Sequence, residues 1–474
     1  MAGIVSYGAY VPIYRLQAGD IGKVWGSRQG KGEKAVANCD EDSLTMGVEA
    51  ARDCLQGIDR DRVDGLYFAS TTPPYREKQA ASIIRAVLDL PKEVFTLDIT
   101  DSLRAGSNAL RAAIDAVGSG SARNVLVVAG DCRLPAPNSA FESLFGDGAA
   151  ALLVGDADVA VNVEAMHTVS SEFIDVWRRE SDRYPRTWEE RFVLTHGYEE
   201  VLGEATLAMM KARGLSPEEV GRAVFSAPNP RSHMAMAKKL GFDYQTQVQD
   251  PMLGMMGHTG AAQGLMMLVS AMEKAESGEK ILFSNYGDGC DSFLLGVTGD
   301  VKRIAGKRGI QKHLASKMQL PSYGKYLQYK NLLEWEAERL PPEYSSLNIH
   351  WRDRKQIMAL IANRCKACGK VQIDFPVQRV CAWCQAKDDF DEVRLSDQKG
   401  TLFSFSMDER TRDLDLPSVM SVVDFDDGAR FTTVMTDRDP EKIDVGMPVE
   451  MTFRQFHEGQ GIHNYFWKCR PVRG

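Results

Sequence analysis

Four cysteines stand in two Cys-x-x-Cys pairs, Cys365-Lys366-Ala367-Cys368 and Cys381-Ala382-Trp383-Cys384, with twelve residues between them. Each such turn delivers two thiolates to one ion, and a second turn across a hairpin completes the tetrahedron that zinc prefers. The interval Lys370-Val371-Gln372-Ile373-Asp374-Phe375 has strand character, and Pro376 turns the chain back. Four buried free thiols are the bland alternative, but they do not require so restrictive a spacing. The pattern predicts a zinc ion (Zn2+) held by Cys365, Cys368, Cys381 and Cys384. With four protein ligands the ion is closed, so it is expected to hold the fold and do no chemistry.

At 474 residues the chain is too long for one core and fits two or three domains. Its 44% hydrophobic and 26% charged composition is that of an ordinary globular protein. A net charge of −8 argues against a general affinity for nucleic acid or anionic membrane. The opening Met1-Ala2-Gly3-Ile4-Val5 lacks a basic, then apolar, secretory pattern. No apolar run approaches the roughly 18 residues a bilayer span needs. The other five cysteines, Cys39, Cys54, Cys132, Cys290 and Cys469, show no framework spacing, which suits a reducing cytoplasm.

Strands and helices alternate through the first 300 residues. Residues 3–13 read as an opening strand, and the Gly- and Lys-rich segment 20–40 as a loop that could cover a site. Asp42 or Ser43 caps a helix to about Gln56, followed by a strand over Val63–Ser70. A helix (78–88), a strand (94–99), a helix (105–118) and the strand Asn124–Gly130 continue the pattern, which argues for a sheet covered on both faces. The run Phe145-Gly146-Asp147-Gly148-Ala149-Ala150 returns in cadence as Asn285-Tyr286-Gly287-Asp288-Gly289-Cys290, implying two similar halves. Residues 300–330 read as a charged connector, and Leu327–Leu340 and Ile349–Ala362 as helices. Five short strands then follow: Thr401–Met407, Ser418–Asp424, Arg430–Thr436, Val449–Phe453 and Asn464–Cys469. Their spacing leaves no room for helices and predicts a compact β-barrel.

The first 300 residues resemble the thiolase superfamily, and within it the 3-hydroxy-3-methylglutaryl-CoA synthases of archaeal and bacterial type. The match runs through Gly3-Ile4-Val5-Ser6-Tyr7-Gly8-Ala9-Tyr10-Val11-Pro12, Asp42-Ser43-Leu44-Thr45-Met46, Pro74-Tyr75, Gly146-Asp147-Gly148-Ala149 and Tyr286-Gly287-Asp288-Gly289. From about residue 325 the chain resembles the rubredoxin-like zinc ribbon and OB-fold module that accompanies such proteins. The resemblance implies an α/β protein with a duplicated five-layer thiolase fold, then a zinc ribbon and a small β-barrel (OB fold). It implies boundaries at 1–165 and 166–300 for the two halves, 301–330 for a linker, 331–390 for a helical hairpin with the ribbon, and 391–474 for the OB fold. It also implies a coenzyme A thioester as substrate and a homodimer.

The family's reacting positions are altered here. Its nucleophilic cysteine sits at a helix N-terminus before Ala-Gly-Thr, where the dipole lowers the thiol pKa. Ala105-Gly106-Ser107 matches that stretch and puts Leu103 in the cysteine's place, with Ser102 adjacent but expected to point elsewhere. Thr71 replaces the family's general-base glutamate, in Ser70-Thr71-Thr72-Pro73-Pro74-Tyr75. Ser226 replaces its histidine, in Ser226-Ala227-Pro228-Asn229. Gly257-His258-Thr259-Gly260-Ala261-Ala262 is closer to the Gly-His-x-x-Gly-Ala of thiolases and ketoacyl synthases than to the Gly-Asn of the methylglutaryl synthases, and that histidine is suited to donate to a thioester oxygen as enolate character develops. The resemblance thus assigns His258, Tyr286, Ser226 and Asn229 to catalysis, and Leu103, Thr71, Tyr75 and Cys290 to substrate binding. Tyr75, Cys290 and His233 join His258 and Tyr286 as candidates for a base, while Cys132 is expected to be buried and inert.

Without the cysteine, the expected reaction is retro-aldol cleavage of a 3-hydroxyacyl-CoA by an aldolase (lyase) that needs no covalent acyl-enzyme. Two alternatives stand beside it. One is a synthase-type acyltransferase in which Cys132 or Cys290 serves, and the other is a non-catalytic scaffold that binds acyl-CoA. A hydratase or thiolase partner enzyme is compatible with each. No nucleic acid is expected at the barrel, because Thr411–Pro417 is at least as acidic as basic and lacks the interleaved aromatics that bind single strands.

Overall fold

The computed structural model describes residues 2–26, 31–333, 344–411 and 413–473, which fall into two compact units. The first covers most of the chain up to Lys330 and the second the C-terminal remainder.

The first unit is built on nine strands: β1 (Gly3–Tyr10), β2 (Gly65–Ala69), β3 (Phe95–Ile99), β4 (Asn124–Asp131), β5 (Gly148–Gly155), β6 (Val161–Ser170), β7 (Arg222–Phe225), β8 (Lys280–Tyr286) and β9 (Gly289–Val297). They lie in the order β7-β8-β9-β6-β1-β5-β4-β2-β3. The two halves join where Gly3 and Ile4 of β1 pair with Asn162 and Val161 of β6. Each Gly-Asp-Gly turn feeds a strand that runs antiparallel to its neighbour, β5 against β4 and β9 against β8. The recurring cadence therefore marks equivalent places in the two halves.

Helices cover the strands in layers. Ser43–Cys54 packs on β1, β4 and β5, and Glu200–Arg213 on β6, β8 and β9. Ala105–Gly118 and Gln263–Met272 pack on each other and on strands of both halves, forming the central layer. All ten residues of Gln263–Met272 are buried, as its all-round apolar sequence requires. The turn Gly260–Ala262 that leads into the second central helix approaches the first closely because residue 106 is glycine, where a Cβ would lie 2.5 Å from the Ala261 carbonyl oxygen. The helix Ser43–Cys54 starts as its sequence predicts, with Asp42 and Thr45 forming a reciprocal cap.

Several local expectations need correction. The segment 20–40 is not simply a loop: Ala18–Trp25 is helical and Glu33–Val36 pairs with Tyr14–Gln17. Residues 300–330 are not a bare linker, because they hold the helices Gly309–Ala315 and Tyr323–Tyr329, and Ile310, His313 and Tyr326 are buried in the first unit. The charges that suggested a connector lie on short elements whose buried residues are too few to show a period. Of the helix expected over Leu327–Leu340, residues 334–340 lie outside the described residues. The helix expected over Ile349–Ala362 is two, Leu347–Arg352 and Arg354–Ala359, ended by Leu360 in the left-handed region (φ 53°).

In the second unit, Ile361–Cys365 pairs with both Val371–Gln372 and Phe390–Arg394. Five further strands close a barrel: β10 (Lys399–Asp408), β11 (Ser418–Phe425), β12 (Arg430–Met435), β13 (Pro448–Gly459) and β14 (Ile462–Pro471), in the order β10-β11-β12-β14-β13. Leu402, Val419, Val423, Met451, Phe453 and Trp467 fill it, and the Trp467 indole donates to the Met358 carbonyl at 3.0 Å. Among the described residues, no helix is long and apolar enough to cross a membrane.

Candidate active site

Two cavities in the first unit meet at Leu103, Asp175 and Val176. The larger, about 970 Å³, carries Arg133, Arg178 and Arg183 alongside Asp101, Glu172 and Asp288 in its lining. The smaller, about 390 Å³, is walled by Phe141, Leu144, Val193, Leu194 and Tyr198, with His258 and Tyr286 in its lining. Part of that wall is the π-helical turn Val193–Glu199. Such turns are uncommon and recur at functional sites. Glycine at 197 lets the turn close on the site, since a Cβ there would lie 2.6 Å from the Tyr286 hydroxyl.

Leu103 stands just before the helix Ala105–Gly118, half-buried, on the wall of both cavities. The chain reaches it through Asp101 in the left-handed region (φ 72°), a strained conformation for a residue with a side chain. The second Gly-Asp-Gly turn packs on it: a Cβ at Gly287 would lie 3.1 Å from the Leu103 Cβ. Ser102 is turned to the helix end, where its hydroxyl donates to the Gly287 carbonyl at 3.3 Å and accepts from the Arg104 N–H at 3.2 Å.

His258 is 9% exposed and lines the smaller cavity. Its Nδ1 accepts the Gly260 N–H at 3.2 Å, which assigns the ring proton to Nε2. Burial, then the nearby Arg133, pushes its pKa down to about 3, so the ring is a neutral donor at physiological pH. Tyr286 lines the same cavity and shares a side-chain hydrogen bond with Asp175, while burial raises its phenol well above the ordinary range. Ser226 is present but occupied, its hydroxyl accepting the Tyr286 N–H at 3.1 Å. Asn229 caps the helix Pro230–Leu240, its Oδ1 accepting the Ser232 N–H at 2.8 Å.

Thr71 lines the larger cavity, but its backbone N–H and hydroxyl both donate to Asp131, at 2.7 and 2.8 Å. Three of the expected residues are not cavity groups. Tyr75 is half-buried and lines neither cavity. Cys290 is 0% exposed and packs with Tyr198 and Tyr286 in the core, its thiol pushed up to about 12 by burial. His233 is a core histidine between Phe225 and Tyr244, its pKa lowered to about 4 by burial.

Two residues gain importance in the structure. Cys132, expected to be buried and inert, is half-buried on the wall of the larger cavity that Leu103 also lines. The Lys330 ammonium donates to its sulfur at 3.1 Å and to Asp147 Oδ2 at 2.5 Å. Burial, and then the Asp147 charge, pushes the thiol up to about 12 despite that lysine. Asp175 belongs to no motif and was invisible in the sequence.

The four ribbon cysteines converge, with all their sulfurs within 4.8 Å of one another. The Cys365–Cys384 and Cys368–Cys381 separations are 3.6 Å, close to the roughly 3.7 Å edge of a tetrahedron with 2.3 Å metal–sulfur bonds.

Residues 97–172 match the 3-oxoacyl-[acyl-carrier-protein] synthase III model, 210–293 the 3-oxoacyl-[acyl-carrier-protein] synthase III C-terminal model, and 392–454 the C-terminal OB-fold domain of ChsH2. The hydroxymethylglutaryl-CoA synthase of Methanopyrus kandleri is 30% identical over 344 residues, spanning 70% of this chain and 98% of that protein. The chain belongs to the hydroxymethylglutaryl-CoA synthase family. The synthase of Pyrococcus furiosus is 33% identical over 295 residues, 61% of this chain and 84% of that protein. In fold, the chain matches MvaS in complex with 3-hydroxy-3-methylglutaryl coenzyme A, with a TM-score of 0.63 at 21% identity over 72% of this chain and 94% of that one. The fold is thiolase-like α/β with a closed five-stranded barrel at the C-terminus.

The family overturns the expectation of a retro-aldol lyase, since the relatives matched over 84% and 98% of their length are hydroxymethylglutaryl-CoA synthases. The physical error lay in deriving the reaction from a missing nucleophile. Loss of a cysteine changes how an acyl group is held, not which carbon–carbon chemistry the enolate performs.

Proposed function

We propose that this protein is a CoA-thioester enzyme of the synthase type, joining the acyl group of one thioester to a carbonyl carbon of another. The observation that carries it is the twin cavity that meets at Leu103, with a neutral His258 on its wall. The larger lobe takes the coenzyme, with Arg178 and Arg183 toward its phosphates, and the apolar lobe takes an acyl chain. The His258 Nε2–H is placed to donate to the thioester oxygen as it gains charge, a contribution worth roughly 10²–10³ in rate for such donors. A homodimer is the expected assembly, and a mass measurement in solution checks it.

The thiol on this cavity wall is Cys132, and it is the acyl acceptor of the reaction. Its sulfur attacks the thioester carbon, the bond to the coenzyme sulfur breaks, and the thiol proton ends on the released coenzyme A. With its pKa up at about 12 the group is a thiol at neutral pH, so acylation rises with pH throughout the range from 7 to 10. Incubation with acetyl-CoA and acetoacetyl-CoA should release free coenzyme A and leave an acetyl mass on the Cys132 peptide, absent in Cys132→Ser. Binding of both thioesters without release of coenzyme A would sink the synthase proposal. It would select instead a binding role, which the replacements at positions 103, 71 and 226 favour.

We propose also that Cys365, Cys368, Cys381 and Cys384 hold a structural zinc ion, supported by their spacing in sequence and the convergence of their sulfurs.

A further inference from the structure

We propose that Asp175 is the general base that takes the α-proton from the acyl group that Cys132 has accepted from acyl-CoA, doing the work of the carboxylate that is missing at position 71. The proposal rests on the synthase function above and adds the group that starts its chemistry.

Enolate formation needs a base beside the carbon next to the thioester. Thr71 cannot supply one, since a hydroxyl has no useful basicity and this one already donates to Asp131. Asp131 is consumed as an acceptor, taking hydrogen bonds from Ser70, Thr71, Thr72 and the Ala261 N–H. Among the described residues, Asp175 is the one ionisable side chain that lines both cavities, and it does so beside Leu103, where the thioester must lie. Carboxylates elsewhere reach only one lobe: Asp101, Glu172 and Asp288 the larger, Glu190 the smaller.

The carboxylate is also held for the task. It is 8% exposed and precedes the short pairing of Val176–Trp177 with Arg186–Thr187. Its Oδ1 accepts the Val176 N–H at 2.5 Å, and the Tyr286 phenol hydrogen-bonds to the carboxylate from the end of β8. Thr187 ties down its carbonyl at 2.8 Å. Burial, with Asp288 adding to it, raises its pKa, while Tyr286 and the backbone N–H pull the other way. The charged groups around it are Asp288 beyond β8, and Arg133 and Arg178 on the larger cavity's wall. A buried carboxylate with raised pKa is a stronger base than a solvated one.

The step balances with water as the one further reagent. Asp175 takes the proton from C2, and the C–H electrons move into the enolate, whose oxygen faces the His258 N–H. The enolate carbon bonds to the second carbonyl carbon, and the oxygen formed there recovers the proton from Asp175. Water then splits the Cys132 thioester, giving the product carboxylic acid and returning the thiol.

Exchange of the acetyl-CoA methyl hydrogens in deuterium oxide, followed by mass spectrometry, isolates this step from bond formation. Asp175→Asn should slow exchange by about 100-fold or more while acetyl-CoA affinity, read from quenching of the cavity tryptophans Trp177 and Trp188, moves by less than about threefold. Asp175→Glu should restore part of the rate. Exchange by the unmodified protein should rise with pH along a carboxyl titration that Asp175→Asn lacks. If the unmodified protein condenses two thioesters and Asp175→Asn still exchanges at a comparable rate, Asp175 is not the base and the synthase function stands. If the unmodified protein exchanges none of acetyl-, butanoyl- or octanoyl-CoA and releases no coenzyme A, both fail together.

Discussion

Leu103→Cys is expected to acquire rapid acylation by acetyl-CoA at position 103, overtaking acylation of Cys132 by several hundred-fold at pH 7. A thiol at this position stands two residues before the first turn of Ala105–Gly118, with its unpaired N–H groups and positive end. Thiols in such places have pKa values of roughly 3.5–7.5 and are largely thiolate at neutral pH. Cys132, up at about 12, exposes a thiolate fraction near 10⁻⁵ under the same conditions. A less basic thiolate is a poorer nucleophile, with a Brønsted slope of about 0.4–0.5. Five pKa units then return about 10²–10^2.5 of the 10⁵ gained in thiolate, leaving a net advantage of roughly 300- to 1,000-fold. The smaller side chain leaves a void on a half-buried wall, costing about 1 kcal/mol or less because the cavity is already open there. Intact-protein mass after a brief exposure to acetyl-CoA reads the outcome. Alkylation of the new cysteine by iodoacetamide without acylation by acetyl-CoA would place the thioester elsewhere, and the cavity assignment would fall.

The same position shows what the sequence could and could not convey. The helix 105–118 was legible to the residue because Ala105, Ala109, Leu110, Ala113, Ile114 and Val117 recur at helical spacing between polar positions, and its N-terminus carried Leu103 with it. The ribbon was legible because four thiols at fixed spacing have few other uses. Barrel strands were legible from alternation and gaps too short for helices. Segments such as 300–330 were not, since their elements are short and their buried residues are spaced by tertiary contact. Cys290 was misjudged although it flanks the same turn as Tyr286. The two pair across β8 and β9, yet the small thiol ends in the core cluster while the long phenol reaches the cavity. Asp175 gave no local signal at all. It lies between β6 and the helix Glu200–Arg213 in a stretch with little regular structure, and only the folded chain brings it beside Leu103. A search for a compensating carboxylate once Thr71 was seen would have named the need but not the residue.

Removing zinc should unfold the ribbon and leave the first unit's chemistry in place. The ribbon's buried residues are few, Ile361, Ala362, Cys365, Val371 and Cys381, whereas Phe375, Val377, Val380 and Trp383 are exposed. So small an apolar core does not offset the ordering entropy of some thirty residues, and mini-domains of this kind depend on a metal or disulfides. No disulfide joins these cysteines. Four thiolates on zinc supply an apparent 10–16 kcal/mol at neutral pH, which exceeds what such a core could lose. The purified protein should therefore contain one zinc per chain. After chelation, four additional thiols should react with a thiol reagent under native conditions, and amide protection over 361–394 should vanish. The same loss should occur on acidification, because each thiolate must hold its charge to bind the metal and protonation competes with it. Hydrogen exchange into acetyl-CoA, which we propose to depend on Asp175 and His258, should survive the chelation. A metal-free chain whose ribbon amides stay protected would mean that the cysteines pack as thiols, and the most restrictive spacing in the sequence would have no ion behind it.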